Sequence, residues 1–219
     1  MSLFKAIDRG GEGVEDAARA QARCKVSLAD HCERDYPFKM NSLNRDPRVW
    51  RAVAENAAAG WMETPAGHVR AAFGAGGLKP ADEKREGDGA SPIGRWPVLF
   101  GYYRADRLER PDSAITLRPL HEDDGWCDAP ADRAYNRPVR RPYKASHEEM
   151  WREDELYDLV LVLGHNHAPP HPGMGSAIFL HCKRGDYEPT RGCVAIARAD
   201  LIAWLGEARP GDLIEISKA

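Results

Sequence analysis

From Trp61 onward, short apolar runs alternate with clusters of turn residues. Runs at 68–73, 96–103, 113–117, 156–163, 177–181, 193–197 and 213–216 have the length and β-branched or aromatic content of strands. Three helices interrupt this pattern. Asp46-Pro47 reads as an N-cap followed by Pro at the first helical position, predicting a helix through residue 56 or 59 that Gly60 ends. Ser146, with Glu149 three residues on, reads as a capping box opening a short helix. Residues 199–208 predict a helix with Leu201, Ile202 and Leu205 inward, and Pro210-Gly211-Asp212 turns into the last strand. The predicted fold is mainly β with a few helices, a sandwich or pseudo-barrel.

Residues 1–39 do not share this pattern. They are charged and contain Gly, with one weakly helical piece over 14–25. They are expected to be an N-terminal extension, either disordered or a start-site artefact with initiation at Met40, ahead of a domain over 40–219. Residues 1–21 have no apolar core, so no export signal is visible and the sequence by itself reads as cytoplasmic. No apolar run approaches the length of a membrane span. Net charge is −3 over 219 residues with both signs interspersed, so no basic footprint suggests nucleic acid. Five cysteines, Cys24, Cys32, Cys127, Cys182 and Cys193, are an odd number without framework spacing and read as free thiols.

Candidate chemistry concentrates between Ser176 and Leu201. The apolar run Ala177-Ile178-Phe179-Leu180 ends in His181, and Thr190-Arg191-Gly192-Cys193 opens the next one. Two strand ends would thus bring an imidazole and a thiol together, the makings of a cysteine nucleophile. The competing reading is a half-buried histidine and a small buried cysteine. Gly192 before the thiol favours the functional reading, because a tight backbone there can turn N–H groups of Gly192 and Cys193 towards an oxyanion. Arg191 adds a charge expected to favour thiolate. Cys182, next to His181, should face the opposite side of its strand and belong to the core.

The stretch His181, loop, Thr190-Arg191-Gly192-Cys193-Val194 resembles the catalytic signature of the YkuD-type L,D-transpeptidases, in which His precedes Ser/Thr-x-Gly-Cys and an apolar residue. Lys84-Arg85-Glu86-Gly87-Asp88-Gly89-Ala90-Ser91-Pro92-Ile93-Gly94 is similar to an upstream segment of that family. Gly125-Trp126-Cys127-Asp128, Tyr135-Asn136-Arg137-Pro138 and Tyr157-Asp158-Leu159-Val160 resemble a signal-less bacterial subgroup. Arg191 stands where many members have His, and the loop before Cys193 is shorter than in the commonest members. The resemblance implies a cysteine acyltransferase acting on peptidoglycan stem peptides or muropeptides, with Cys193 as nucleophile and His181 as general base. A backbone carbonyl is expected to orient the second imidazole nitrogen, because no carboxylate is placed for it.

The resemblance also implies a location in the cell envelope and carbapenem-type β-lactams as covalent inhibitors. No metal or organic cofactor is expected. Hydrolysis of the acyl-enzyme, an L,D-carboxypeptidase activity, is the alternative to cross-linking, and a silent peptidoglycan-binding module is the alternative to both.

His165, His167 and His171 sit among Pro169, Pro170 and Pro172, an irregular loop without a recognised metal frame. Two readings stay open: His165 and Asn166 line a substrate groove, or the stretch is a solvated Pro-rich loop with incidental histidines. Glu86-Gly87-Asp88-Gly89 reads as a tight turn positioning Ser91-Pro92. The polar stretch with Trp126, Tyr135, Asn136 and Arg137 reads as a lid or an insertion over the groove, and Arg137 or Arg140 as a ligand for a peptide carboxylate.

Overall fold

The computed structural model describes residues 46–219, so the weak helix at 14–25 and the thiols Cys24 and Cys32 lie outside the described residues. Strands β1 (Val49–Ala54), β2 (Ala59–Thr64), β3 (Gly67–Ala72), β4 (Leu78–Pro80), β5 (Ser91–Tyr103), β6 (Leu117–Pro119), β10 (Leu159–Leu163), β11 (Phe179–Cys182), β12 (Val194–Ile196) and β13 (Leu213–Lys218) form one sheet. Its order is β10-β11-β12-β3-β2-β1-β13-β5-β4, with β6 on β5, and pairing of β10 with β5 closes it into a barrel. The long β5 makes closure possible: residues 94–97 pair with β13 and residues 98–103 with β10. Strands β7 (Asp124–Cys127), β8 (Arg137–Arg140) and β9 (His147–Glu149) form a separate sheet in the order β8-β7-β9. The expected mainly β, barrel-like architecture is found. No helix among the described residues is long and apolar enough to cross a membrane.

The barrel encloses Met62, Phe73, Val98, Leu161, Leu180, Val194, Ile196 and Ile214, all fully buried. Helix α1 (Arg198–Glu207) covers one side with Leu201, Trp204 and Leu205, and Trp204 meets Trp50 edge-on at 5.9 Å. Ile202, expected inward, is exposed, and Trp204 takes the inward place.

Two predicted helices are strands. The Ala-rich stretch after Asp46-Pro47 forms β1, which pairs with β13 in parallel over six positions and with β2 on its other side. Ladder pairing and burial of Ala52, Val53 and Ala54 outweigh local helix propensity there. The Ser146 capping box is the start of β9, an edge strand held by β7. The strand expected at 113–117 begins only at Leu117, and a 3-10 turn at Glu155–Tyr157 precedes β10.

Candidate active site

The central feature is the parallel pairing of β11 with β12, which sets Leu180 opposite Val194, His181 opposite Ala195 and Cys182 opposite Ile196. Side chains alternate along a strand, so Leu180, Cys182, Val194 and Ile196 point into the barrel core. His181, Ala195 and, two residues before it, Cys193 share the other face. That face opens on a groove of about 700 Å³ lined by both Cys193 and His181. The expected assembly of thiol and imidazole is therefore present, and Cys182 is a core residue, as its place in the strand requires.

His181 is almost fully buried, and its Nδ1 lies 2.8 Å from the Cys182 carbonyl oxygen. A carbonyl only accepts, so Nδ1 carries the proton and the Nε2 lone pair is left for chemistry. Burial pulls the imidazole pKa down to about 4, against the carbonyl's opposite effect, so the ring is neutral at physiological pH. The Tyr157 ring fixes it edge-on at 5.4 Å.

Cys193 is in its thiol form. Burial pushes its pKa up to about 12 and the Glu148 carboxylate pushes the same way, while the Phe179 N–H and Lys84 oppose them. The Sγ donates to the Ala177 carbonyl at 3.2 Å and accepts from the Phe179 N–H at 3.4 Å. Arg191 is exposed and is not among the charges acting on this thiol, so the expected promotion of thiolate by Arg191 is absent.

The backbone turn before the thiol depends on Thr190. Its hydroxyl donates to the Cys193 carbonyl at 2.7 Å and accepts from the Gly192 N–H at 3.1 Å. The Gly192 amide is thereby engaged, which corrects the expectation that it faces an oxyanion; among the described residues no partner is found for the Cys193 N–H. Gly192 has φ +129°, and a Cβ there would come within 2.8 Å of the Ala90 carbonyl oxygen. The Ser91 hydroxyl, donating to the Cys193 carbonyl at 3.3 Å and accepting from the Gly74 N–H at 2.9 Å, ties the upstream segment to Cys193.

His165, Asn166 and Arg137 do not line the groove. His165 is buried, with Nε2 donating to the Met174 carbonyl at 2.9 Å and its ring edge-on to Trp96. Asn166 uses its side chain to hold the loop at His171 and Gly175. Arg137 turns to the Asn136 carbonyl and to His167, and Arg140 pairs with Asp123 and Asp124. His165 and Asn166 thus brace their own loop, and Arg137 and Arg140 are engaged around the small sheet.

Several groove residues were not singled out by spacing. Glu148, the buried Tyr157, Lys84 and Asp128 all reach it. Tyr157, Asp128 and Lys84 fall within segments that carry the family resemblance, whereas Glu148 is hidden by the capping-box reading. The buried Asn136 bridges the small sheet and the barrel. Its Oδ1 accepts from Trp126 Nε1 at 2.9 Å and from the Ala177 N–H at 3.0 Å, and its Nδ2 donates to the carbonyls of His165 and Asn166. Of the two readings of this stretch, lid or insertion, the structure has a packed inserted sheet, with Trp126 meeting Phe179 at 5.2 Å.

Residues 45–216 match the model of the YkuD family, described as the L,D-transpeptidase catalytic domain. No curated protein and no solved structure matches the chain.

Proposed function

Since the chain belongs to the YkuD family of L,D-transpeptidase catalytic domains, we propose that it is a cysteine acyltransferase acting on peptidoglycan stem peptides, with Cys193 as nucleophile and His181 as general base. The observation that carries this reading is the fixed tautomer of His181: a neutral imidazole with Nδ1–H held by a carbonyl, beside a thiol in one groove. A buried thiol and a neutral base avoid a preformed ion pair, so proton transfer accompanies attack.

Nε2 of His181 takes the Cys193 proton as Sγ bonds to the carbonyl carbon on the diaminopimelate side of the L,D bond. The Cys193 N–H supports the oxyanion, an interaction worth about 3–4 kcal/mol of barrier for a well-placed donor. The imidazolium then returns its proton to the departing D-alanine nitrogen as the C–N bond breaks, leaving a thioester. An amine of a second stem resolves it to a cross-link, and water resolves it to a tripeptide.

The deciding experiment is mass spectrometry of disaccharide-tetrapeptide incubated with the wild-type protein and with Cys193→Ala. Loss of D-alanine with wild type alone is expected, dimers marking a transpeptidase and free tripeptide an L,D-carboxypeptidase. Unchanged substrate in both samples would reject acyl transfer on this substrate. Carbapenem treatment is expected to add the drug's mass to wild type and not to Cys193→Ala.

A further inference from the structure

We propose that Glu148 is the receptor for a primary ammonium group of the substrate, held in the groove beside Cys193. The proposal rests on the acyl-transfer reading of the same groove. Glu148 lies opposite Trp126 in the β7–β9 ladder, so both side chains leave the small sheet on the same face. Trp126 meets Phe179, and Phe179 lies two residues before His181 on the same face of β11. The ladder therefore brings the Glu148 carboxylate over the thiol and imidazole from a different sheet.

No cation is paired with this carboxylate among the described residues. Tyr157 donates its hydroxyl to Oε1 at 2.5 Å. Arg152, whose charge acts on Glu148, is itself taken by Asp154 through two hydrogen bonds of 2.7 and 2.8 Å. Asp128, which continues β7 through its N–H to the Ser146 carbonyl, also reaches the groove, and its Oδ1 is buried without a hydrogen-bond partner. Two acceptors on one wall thus have unfilled capacity.

Burial raises the pKa of Glu148 itself, with the Tyr157 hydroxyl and the Arg152 charge opposing, and in its ionised form its charge opposes formation of a thiolate at Cys193. An ammonium docked on it would remove that opposition and supply the missing donors. Binding of the correct substrate would then itself make the nucleophile easier to ionise. Stem peptides containing a diamino acid carry such an amine, whereas neutral peptides do not.

The test measures binding, so it does not depend on turnover. Calorimetry would compare disaccharide-tetrapeptide with its side-chain amine free and with that amine acetylated, on Cys193→Ala protein with and without Glu148→Gln. Acetylation is expected to weaken binding at least about tenfold when Glu148 is present, and less than about twofold with Gln. Glu148→Asp, which keeps the charge, should restore part of the discrimination; this guards against a general packing effect. Equal penalties for acetylation in both proteins would overturn the proposal, as would no binding of either peptide. Amine-selective binding without D-alanine release by the wild type would reject the acyl-transfer reading and keep Glu148 as the receptor. Cysteine-dependent release without amine selectivity would do the reverse.

Discussion

Gly192 combines a positive φ with a close approach to the Ala90 carbonyl, so no other residue fits without movement. Gly192→Ala should cost about 1–3 kcal/mol of stability from backbone strain. The displaced thiol should lower D-alanine release on the order of a hundredfold. Melting curves and single-turnover assays would separate the two effects, and an unchanged rate would show that the Thr190 turn does not set the nucleophile. One residue further, the high pKa of Cys193 makes a prediction of its own. Iodoacetamide should label the free protein slowly near about pH 7 and increasingly fast up to about pH 10, without an early plateau. A plateau at neutral pH would mean that the resting state is already a thiolate.

At the scale of elements, β1 is joined to the segment before β13 by Asp212. This fully buried carboxylate accepts from Arg48 Nε at 3.2 Å, Arg48 Nη2 at 3.0 Å and Trp50 Nε1 at 3.1 Å. Asp212→Ala should therefore destabilise the barrel by about 2–4 kcal/mol, read as a shift in the urea midpoint without loss of the groove. Elements of this kind also mark the limit of what can be read from sequence. The strands β3, β11, β12 and β13 were legible because their apolar residues alternate or run together between turn residues. Strands β1 and β9 were not, because Ala-rich and Ser-x-x-Glu segments carry helix signals that only distant partners override. The pairing of His181 with Cys193 was legible for a different reason: both residues lie where a strand meets a loop, and their neighbours make a specific pattern. Glu148 has no local pattern to betray it. Its position depends on which strand β9 pairs with.

For the molecule as a whole, buried titratable groups frame the pH range of stability. His181 and His167 are held down to about 4 by burial, His167 also by Arg137, and burial lowers His165 as well. The unfolded chain binds these protons from about pH 6.5 downward while the native protein does not. Their contribution is therefore complete above about 6.5 and is lost as pH falls towards 4. Cys182 and Cys193 act at the other end: the unfolded thiols ionise near 9.0 while the native ones keep their protons up to about 12. Stability should fall again above about 9. Melting temperatures across this range should show a plateau between the two limits, and His181→Gln should flatten the acid side. An unaltered acid slope would remove His181 from that side of the balance. The loop between His181 and Cys193 has a further consequence. It is pinned at one end by Lys183 N–H to Ile196, and at the other by Thr190, which bonds to Phe73 and Ala75. Because the β11–β12 ladder holds its own alignment, residues 184–189 can be lengthened, shortened or changed without moving His181 or Cys193. The groove wall that Arg184, Glu188 and Pro189 supply is thus carried on a different stretch of chain from the strands that hold His181 and Cys193.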